Sequence, residues 1–132
     1  FPHPQHGGEI SRMTHRRQLI GSWGEDTAAE YLRANGFMVL RRNVRTAHGE
    51  IDIVASKDGL LVFVEVKTRS SHFFAYPEDS VTRRKQAYML SAAEEYLQAH
   101  PESGESWQFD VIAVEGSPGG KAQIEHFENV IG

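Results

Sequence analysis

The sequence predicts an α/β protein whose central mixed sheet lies between two helical layers, a three-layer α/β/α sandwich. Two helix-like and five strand-like segments follow one another in the order α-β-β-β-α-β-β. The third strand-like segment, residues 60–69, is apolar on both faces, which is typical of a strand covered by helices on both sides. The second helix then leads to a later strand, and this connection is long enough for a parallel crossover.

Apolar periodicity predicts the two helices. The first covers residues 19–35, where apolar and small residues recur at helical spacing and Gly36 supplies a stop. The second covers residues 83–100, with Thr82 as its N-cap. Residues 1–17 lack the apolar segment of a signal peptide and are predicted to be a disordered tail, whereas residues 18–132 are predicted to form a single domain.

Alternation and turn residues predict the strands. A two-residue Asp58-Gly59 turn separates the second from the third, and this pair suits a type I′ hairpin because both central positions need positive φ. Residues 70–81 are predicted to be a turn-rich loop. The five strands are placed at residues 37–45, 50–56, 60–69, 107–114 and 123–130.

The two-residue turn determines which side chains of the hairpin face each other. Regular pairing places Asp52 opposite Glu65 and Glu50 opposite Lys67, and alternation puts Asp52, Glu65 and Lys67 on one face. Two opposed carboxylates repel each other unless a cation lies between them, and Mg²⁺ favours such oxygen ligands. The alternatives are a solvated strand face with a Glu65–Lys67 pair, or a longer loop that shifts the register by one residue.

Charge is distributed unevenly along the chain. The net charge is −4 over 132 residues, yet residues 1–85 hold 13 Lys and Arg against 10 Asp and Glu, whereas residues 86–132 hold one Lys against eight acids. Basic clusters in the first part predict contact with nucleic-acid phosphates, and scattered solubilising arginines are the alternative. The absence of cysteine excludes disulfides and thiolate sites and fits the cytoplasm, and no apolar run is long enough to span a membrane.

Four segments of the chain resemble a known bacterial family. The runs GEIDIVA, LVFVEVKTRS, VTRRKQ and QFDVIAV are similar to the YraN family of predicted endonucleases, over about residues 18 to 130. That family belongs to the PD-(D/E)XK restriction-endonuclease-like superfamily and is similar to the archaeal Holliday-junction resolvases. The resemblance implies a restriction-endonuclease-like fold, a Mg²⁺ or Mn²⁺ cofactor, DNA as partner with branched DNA as one candidate, and a homodimer as a candidate assembly.

The resemblance also implies roles for individual residues. Asp52 and Glu65 match metal ligands, Val66 would offer its main-chain carbonyl, and Lys67 matches the motif lysine. Glu25 matches an additional metal contact, and its alternative is a solvated acid near a helix N-terminus. The resemblance places two polar positions at the start of the second helix in the cleft, and the basic clusters supply further phosphate contacts. The expected substrate-binding residues are therefore Arg41, Arg42, Arg45, Arg69, Arg83, Arg84, Lys85 and Gln86.

One further acidic residue and several aromatic residues are expected to have structural or base-stacking roles. Asp110 is expected to make a structural hydrogen bond or to shape the cleft. Trp23, Tyr88, Tyr96 and Trp107 are predicted to be core residues, whereas Phe73, Phe74 and Tyr76 in the loop are predicted to stack on an unpaired base.

The leading functional hypothesis is a metal-dependent endonuclease that acts on DNA. The alternative is a non-catalytic nucleic-acid-binding module of the same fold, and a third hypothesis is a protein-interaction scaffold that uses the acidic second part of the chain. The complete Asp52, Glu65 and Lys67 set favours the enzyme.

Overall fold

The order of helices and strands matches the one predicted from the sequence. The computed structural model describes residues 7–69 and 82–131, with side chains from residue 18 onward. Its elements are α1 (Gly7–Ala34), β1 (Met38–Thr46), β2 (Gly49–Lys57), β3 (Leu60–Arg69), α2 (Arg83–Ala99), a short 3₁₀ turn (Pro101–Ser103), β4 (Trp107–Glu115) and β5 (Gln123–Phe127). The predicted fold class is confirmed, and the predicted loop at residues 70–81 lies outside the described residues.

The start of α1 corrects one boundary. The helix begins at Gly7, well before the predicted start at residue 19, so the part of the predicted disordered tail from Gly7 onward is helical. The sequence between these points is compatible with a helix, because it contains good helix formers and the next proline after Pro4 is Pro77. No helix in the described ranges is long and apolar enough to cross a membrane.

The sheet is mixed, as predicted, and its strand order is β1-β2-β3-β4-β5. Neighbouring strands are antiparallel except β3 and β4, which run parallel and are joined through α2. At the β2–β3 hairpin, Asp58 has φ 51° and Gly59 has φ 81°, which meets the type I′ requirement. The ladder then runs in the predicted register from Lys57–Leu60 to Ile53–Val64.

Each face of the sheet carries one helix and one apolar cluster. On one face, Ala28, Ala29 and Leu32 of α1 pack against residues of β2, β3 and β4 that include Ile53 and Val64. On the other face, four buried α2 residues pack against the sheet: Met89, Ala92, Ala93 and Tyr96. Thr82 caps α2 as predicted, since its side chain accepts a hydrogen bond from the Lys85 N–H. These two clusters make the three layers.

The alternation of β2 changes phase at Asp52. Ile51 packs in the α2 cluster and Ile53 in the α1 cluster, although strict alternation would put both on one face. Between them, the β1–β2 register leaves out the Asn43–Asp52 pair, and Asn43 has φ 54°. Such a local irregularity re-aims the side chains that follow it. The predicted pairing of Glu50 with Lys67 therefore does not hold.

Candidate functional site

Asp52 lies where β2 and β3 stop pairing. The backbone ladder ends at Ile53–Val64, one pair before the predicted Asp52–Glu65 pair. Beyond that point, Asp52 Oδ2 accepts a hydrogen bond from the Val66 N–H at 2.8 Å. A side chain thus satisfies a backbone group that the sheet would otherwise have paired. The two strands can diverge here, and the carboxylate of Asp52 stands in the gap.

Three acidic side chains meet at this point. One carboxylate oxygen from each of Glu25, Glu50 and Asp52 lies within 4.8 Å of the others. Glu25 comes from α1, as the family resemblance implied, and Glu50 lies two residues before Asp52 on β2. Carboxylate oxygens are the ligands preferred by Mg²⁺, Mn²⁺ and Ca²⁺. This cluster could hold a metal ion.

Glu25 reaches the cluster because α1 approaches β3 closely at Gly24. A Cβ atom on Gly24 would overlap the Thr68 side chain. Only glycine leaves room for this approach. The Gly24-Glu25 pair therefore combines a close contact with the delivery of a carboxylate to Asp52.

The acidic cluster is electrostatically unfavourable without a cation. Burial, together with the negative charges of Glu25, Glu65 and Glu50, raises the pKa of Asp52 to about 6, against the hydrogen bond from Val66. Burial also raises the pKa of Glu25, although the positive charge of Arg42 acts in the opposite direction. Both shifts mean that the fold holds ionised carboxylates at a cost, which a bound cation would offset.

Glu65 is held by two lysines. Its Oε1 atom lies 2.8 Å from Lys85 Nζ, and its Oε2 atom lies 3.7 Å from Lys67 Nζ. Oε2 is buried and has no hydrogen-bond partner among the residues that the structure describes. Burial lowers the pKa of Lys67; Glu65 opposes this shift, while Lys85 and Arg69 reinforce it. Glu65 and Lys67 therefore lie beside the three-acid cluster, and Lys85 is an additional member of the site.

A cavity of about 420 Å³ connects these groups with the sheet and the first turns of α2. Asp52, Glu50 and Glu65 line it, together with Arg84 and Lys85. His48 also lines it, from the exposed turn between β1 and β2.

The predicted basic residues divide into two groups. The first group lies on α2 and at the end of β3. Arg84 and Lys85 line the cavity, Arg69 is exposed and its charge acts on Lys67, Arg83 is exposed, and Gln86 is half-buried in the first turn of α2. The three other predicted basic residues lie on β1. Its arginines are Arg41, Arg42 and Arg45.

The β1 arginines are directed to different partners because neighbouring strand residues face opposite sides. Arg41 Nε donates to the Tyr96 hydroxyl at 3.2 Å, on the α2 face. Arg42 Nη2 lies 2.8 Å from Asp26 Oδ1 and 3.7 Å from Oε1 of Glu25, the α1 member of the acidic cluster. Arg45 is 91% exposed and lies 3.9 Å from Glu50.

Of the aromatic predictions, one is wrong. Tyr96 is buried, and Trp23 and Trp107 pack against the two apolar clusters, as predicted. Tyr88 instead keeps 49% of its surface exposed. The predicted stacking residues Phe73, Phe74 and Tyr76 lie outside the described residues.

Comparison with known proteins gives the family. The model of the family described as "Uncharacterised protein family UPF0102" matches residues 24–114. The chain belongs to the UPF0102 family. This confirms the resemblance to the YraN family. A UPF0102 protein from Syntrophotalea carbinolica is 47% identical over 115 residues, which cover 87% of this chain and 93% of the relative. Another from Roseiflexus castenholzii is 46% identical over 118 residues, covering 86% and 94%.

A solved structure of Pyrococcus furiosus SfsA in complex with Ca²⁺ is similar to the UPF0102 chain at a TM-score of 0.41 and 13% sequence identity. The match covers 85% of the UPF0102 chain, which spans 63% of the length of that structure.

Proposed function

We propose that this UPF0102 protein is a divalent-metal-dependent endonuclease that hydrolyses phosphodiester bonds in DNA, with branched or otherwise structured DNA as its substrate. The observation that carries the proposal is the convergence of Glu25, Glu50 and Asp52 within 4.8 Å, next to Glu65 and Lys67. Acids from a helix and a strand, far apart in sequence, meet where their charges repel. Such an arrangement is typical of a functional site.

The donor set fits Mg²⁺ or Mn²⁺. Every candidate ligand is an oxygen atom, supplied by the carboxylates of Asp52, Glu65, Glu25 and Glu50 and by the Val66 carbonyl. Glu65 Oε2, which is buried and accepts no hydrogen bond from the described residues, is one more oxygen available to a cation. A bound divalent ion would polarise a phosphoryl oxygen and lower the pKa of a water molecule, which together make phosphodiester hydrolysis feasible at neutral pH.

Lys67 is the residue that we assign to the attacking water or to the phosphoryl oxygens. It lies 3.7 Å from Glu65, and burial lowers its pKa, which makes a neutral, proton-accepting amine more accessible. As a cation it would instead stabilise developing negative charge on the phosphate. Lys67→Arg separates the two roles, because arginine keeps the charge but cannot accept a proton.

Arg69, Arg83, Arg84 and Lys85 would hold the substrate backbone. Arg84 and Lys85 line the cavity together with Glu50 and Asp52, and Arg69 and Arg83 are exposed at the end of β3 and the start of α2. A phosphate chain that passes these residues would bring one phosphodiester to Asp52. Gln86 would add a polar contact. Cutting both strands of a branch requires two sites, so we propose that a homodimer acts on such substrates.

The decisive experiment is cleavage of linear, flapped and four-way DNAs with Mg²⁺ or Mn²⁺. The parent protein should cut at least one of them, and Asp52→Ala and Glu65→Ala should each abolish cutting while the circular-dichroism spectrum stays unchanged. Glu30→Ala is the matched control, since Glu30 is an exposed acid on the same helix as Glu25. Binding of DNA without cleavage under any of these conditions would identify the non-catalytic module instead.

Metal binding and turnover can be separated through the lysines. Lys67→Ala should reduce cleavage strongly but keep metal affinity, because an ammonium group is not a ligand for these ions. Lys85→Ala removes a cation 2.8 Å from Glu65 and should keep or increase metal affinity. Titration calorimetry with Mn²⁺ measures the metal affinity of both variants, and the cleavage assay measures their turnover. Equal losses of affinity and turnover in Lys67→Ala would contradict its assignment.

A further inference from the structure

The cavity beside the carboxylates has an apolar interior that the proposed hydrolysis does not use. Its volume of about 420 Å³ is in the lower part of the range for ligand pockets, roughly 300–1,000 Å³. It therefore suits one small ring system and not a whole duplex. The apolar floor of the cavity comes from the sheet and from α2 and consists of Ile51, Val64, Met89, Ala92 and Phe109, each at most 6% exposed.

Tyr88 places an exposed aromatic ring in the wall of this cavity. It lines the cavity from α2 and keeps 49% of its surface exposed, although its spacing along the helix predicted burial. The Arg84 guanidinium lies 6.0 Å from the ring centroid, within the range of a cation–π contact. A large exposed ring next to an apolar cavity and a cation is a surface on which another planar group can stack.

We infer that this cavity receives one unpaired nucleobase of the DNA, stacked against Tyr88. The inference rests on the proposed nuclease function and adds the substrate class to it. The ring of Tyr88 would contact one face of the base, whose edge would point toward the apolar floor. Arg84 and Lys85 would contact the adjoining phosphates, and the carboxylates in the same cavity would face the neighbouring phosphodiester.

Such a cavity selects for an unpaired nucleotide because a base inside a duplex is not free to enter. Extruding a paired base costs a few kcal/mol, and the cost is least where the base is already unpaired. Flaps, bulges and branch points provide such bases, whereas perfect duplex DNA does not. The substrate class is therefore DNA with an unpaired nucleotide next to the cleaved bond.

The test uses 2-aminopurine, an adenine analogue whose fluorescence depends on stacking. Two DNAs of the same sequence carry it either paired with thymine or as a single-nucleotide bulge. The parent protein is titrated into each without divalent ions, so that nothing is cut. We expect the emission to change on binding to the bulged DNA only, together with a higher affinity for it.

Substitutions of Tyr88 locate the base. Because stacking on an aromatic side chain contributes about 1–3 kcal/mol per base, Tyr88→Ala should weaken binding to the bulged DNA by roughly 5- to 150-fold and leave duplex binding unchanged. Tyr88→Phe should retain the parent affinity. Leu90→Ala is the matched control, since Leu90 is also exposed on α2 but does not line the cavity. Both positions are at the surface, so folding is not at stake.

Each outcome has one meaning. Equal emission changes for paired and bulged DNA, or an unchanged affinity in Tyr88→Ala, would overturn the base pocket. Cleavage of both DNAs at equal rates with Mg²⁺ would do the same and leave the nuclease function standing. Tyr88-dependent binding of bulged DNA that is never cut would support the pocket and contradict hydrolysis.

Discussion

Asp110 and Asp52 lie on strands of the same sheet in opposite chemical settings. Asp110 is fully buried and saturated: its Oδ1 accepts from Gln108 Nε2 and from the Asn129 N–H, each at 2.9 Å, and its Oδ2 lies 2.7 Å from His126 Nε2. Asp52 is only partly buried, accepts one backbone hydrogen bond and has other acids beside it.

The difference separates a structural carboxylate from a functional one. The partners of Asp110 repay its desolvation and tie β5 and the residues after it to β4. Tyr31 extends this network to α1, because its hydroxyl lies 3.1 Å from His126 Nδ1. The neighbours of Asp52 do the reverse and, together with burial, raise its pKa to about 6. Depth of burial alone would have suggested that Asp110, the more deeply buried carboxylate, is the functional one.

The largest expected effect is on Asp110. Asp110→Ala should lower the free energy of unfolding by about 3–5 kcal/mol, because it leaves buried donors without an acceptor. Urea denaturation at neutral pH measures this. Glu125→Ala on neighbouring β5, where the side chain is exposed, should change stability little. A loss of less than about 1 kcal/mol of unfolding free energy in Asp110→Ala would contradict the structural role of Asp110.

Asp52→Asn should raise the free energy of unfolding, whereas Asp110→Ala lowers it. The pKa of Asp52 is about 6 in the folded protein against an ordinary value of 3.8, so the folded state holds the proton more tightly. The parent's stability from this group is complete below about pH 4 and is lost as the pH rises through about 6. Without metal, Asp52→Asn should therefore be more stable than the parent above about pH 7, by on the order of 2–3 kcal/mol.

The amide oxygen introduced by Asp52→Asn can still accept the Val66 hydrogen bond, so the comparison isolates the charge. The stability difference should vanish near pH 4. Denaturation in EDTA across this range measures it. A difference that does not depend on pH would assign Asp52 a structural role like that of Asp110.

Divalent ions sharpen the contrast. Mg²⁺ or Mn²⁺ at ten times its Kd should stabilise the parent by about 1.4 kcal/mol, because the ion binds the folded state. Asp52→Asn should lose this increase, and Glu125→Ala should keep it. Melting temperatures with and without ion provide the measurement, and an equal rise in Asp52→Asn would place the ion elsewhere.

The smallest effect concerns the salt dependence of DNA binding. If Arg83 and Arg84 contact phosphates near Asp52, replacing both with Ala should flatten the slope of log affinity against log salt by up to roughly two units. Replacing Arg33 and Lys57 with Ala is the control, because Arg33 is exposed on α1 and Lys57 lies at the hairpin turn. An unchanged slope in the first pair would move the DNA path away from α2.

Local patterns predicted most of the fold, and long-range contacts account for what they missed. The Asp58-Gly59 turn fixed the hairpin register as far as Ile53–Val64, and Thr82 marked the start of α2, because both signals act over a few residues. The structural role of Asp110 was also expected. The phase change at Asp52 was not, since asparagine favours positive φ but also occurs in regular strands, so Asn43 alone does not mark an irregularity.

The candidate site was predicted only in part, because some of its contacts are also long-range. The resemblance singled out Glu25, and the structure places it beside Asp52. Glu50, two residues before Asp52 on β2, joins the cluster as well, whereas the Lys85–Glu65 ion pair depends on how α2 docks on β3. The exposure of Tyr88 similarly depends on where α2 meets the sheet, which helical spacing alone does not determine.

The contact of Gly24 with Thr68 limits how far α1 can shift relative to the site. It fixes α1 along its own axis at a single point, one residue before Glu25. An inserted residue between Gly24 and Glu25 would turn the carboxylate by about 100° and advance it by about 1.5 Å. A slide of one helical turn would move it by about 5.4 Å, farther than the 4.8 Å that spans the cluster. Glu25 therefore has one axial position in which it can serve the site, and the missing side chain of a glycine defines it.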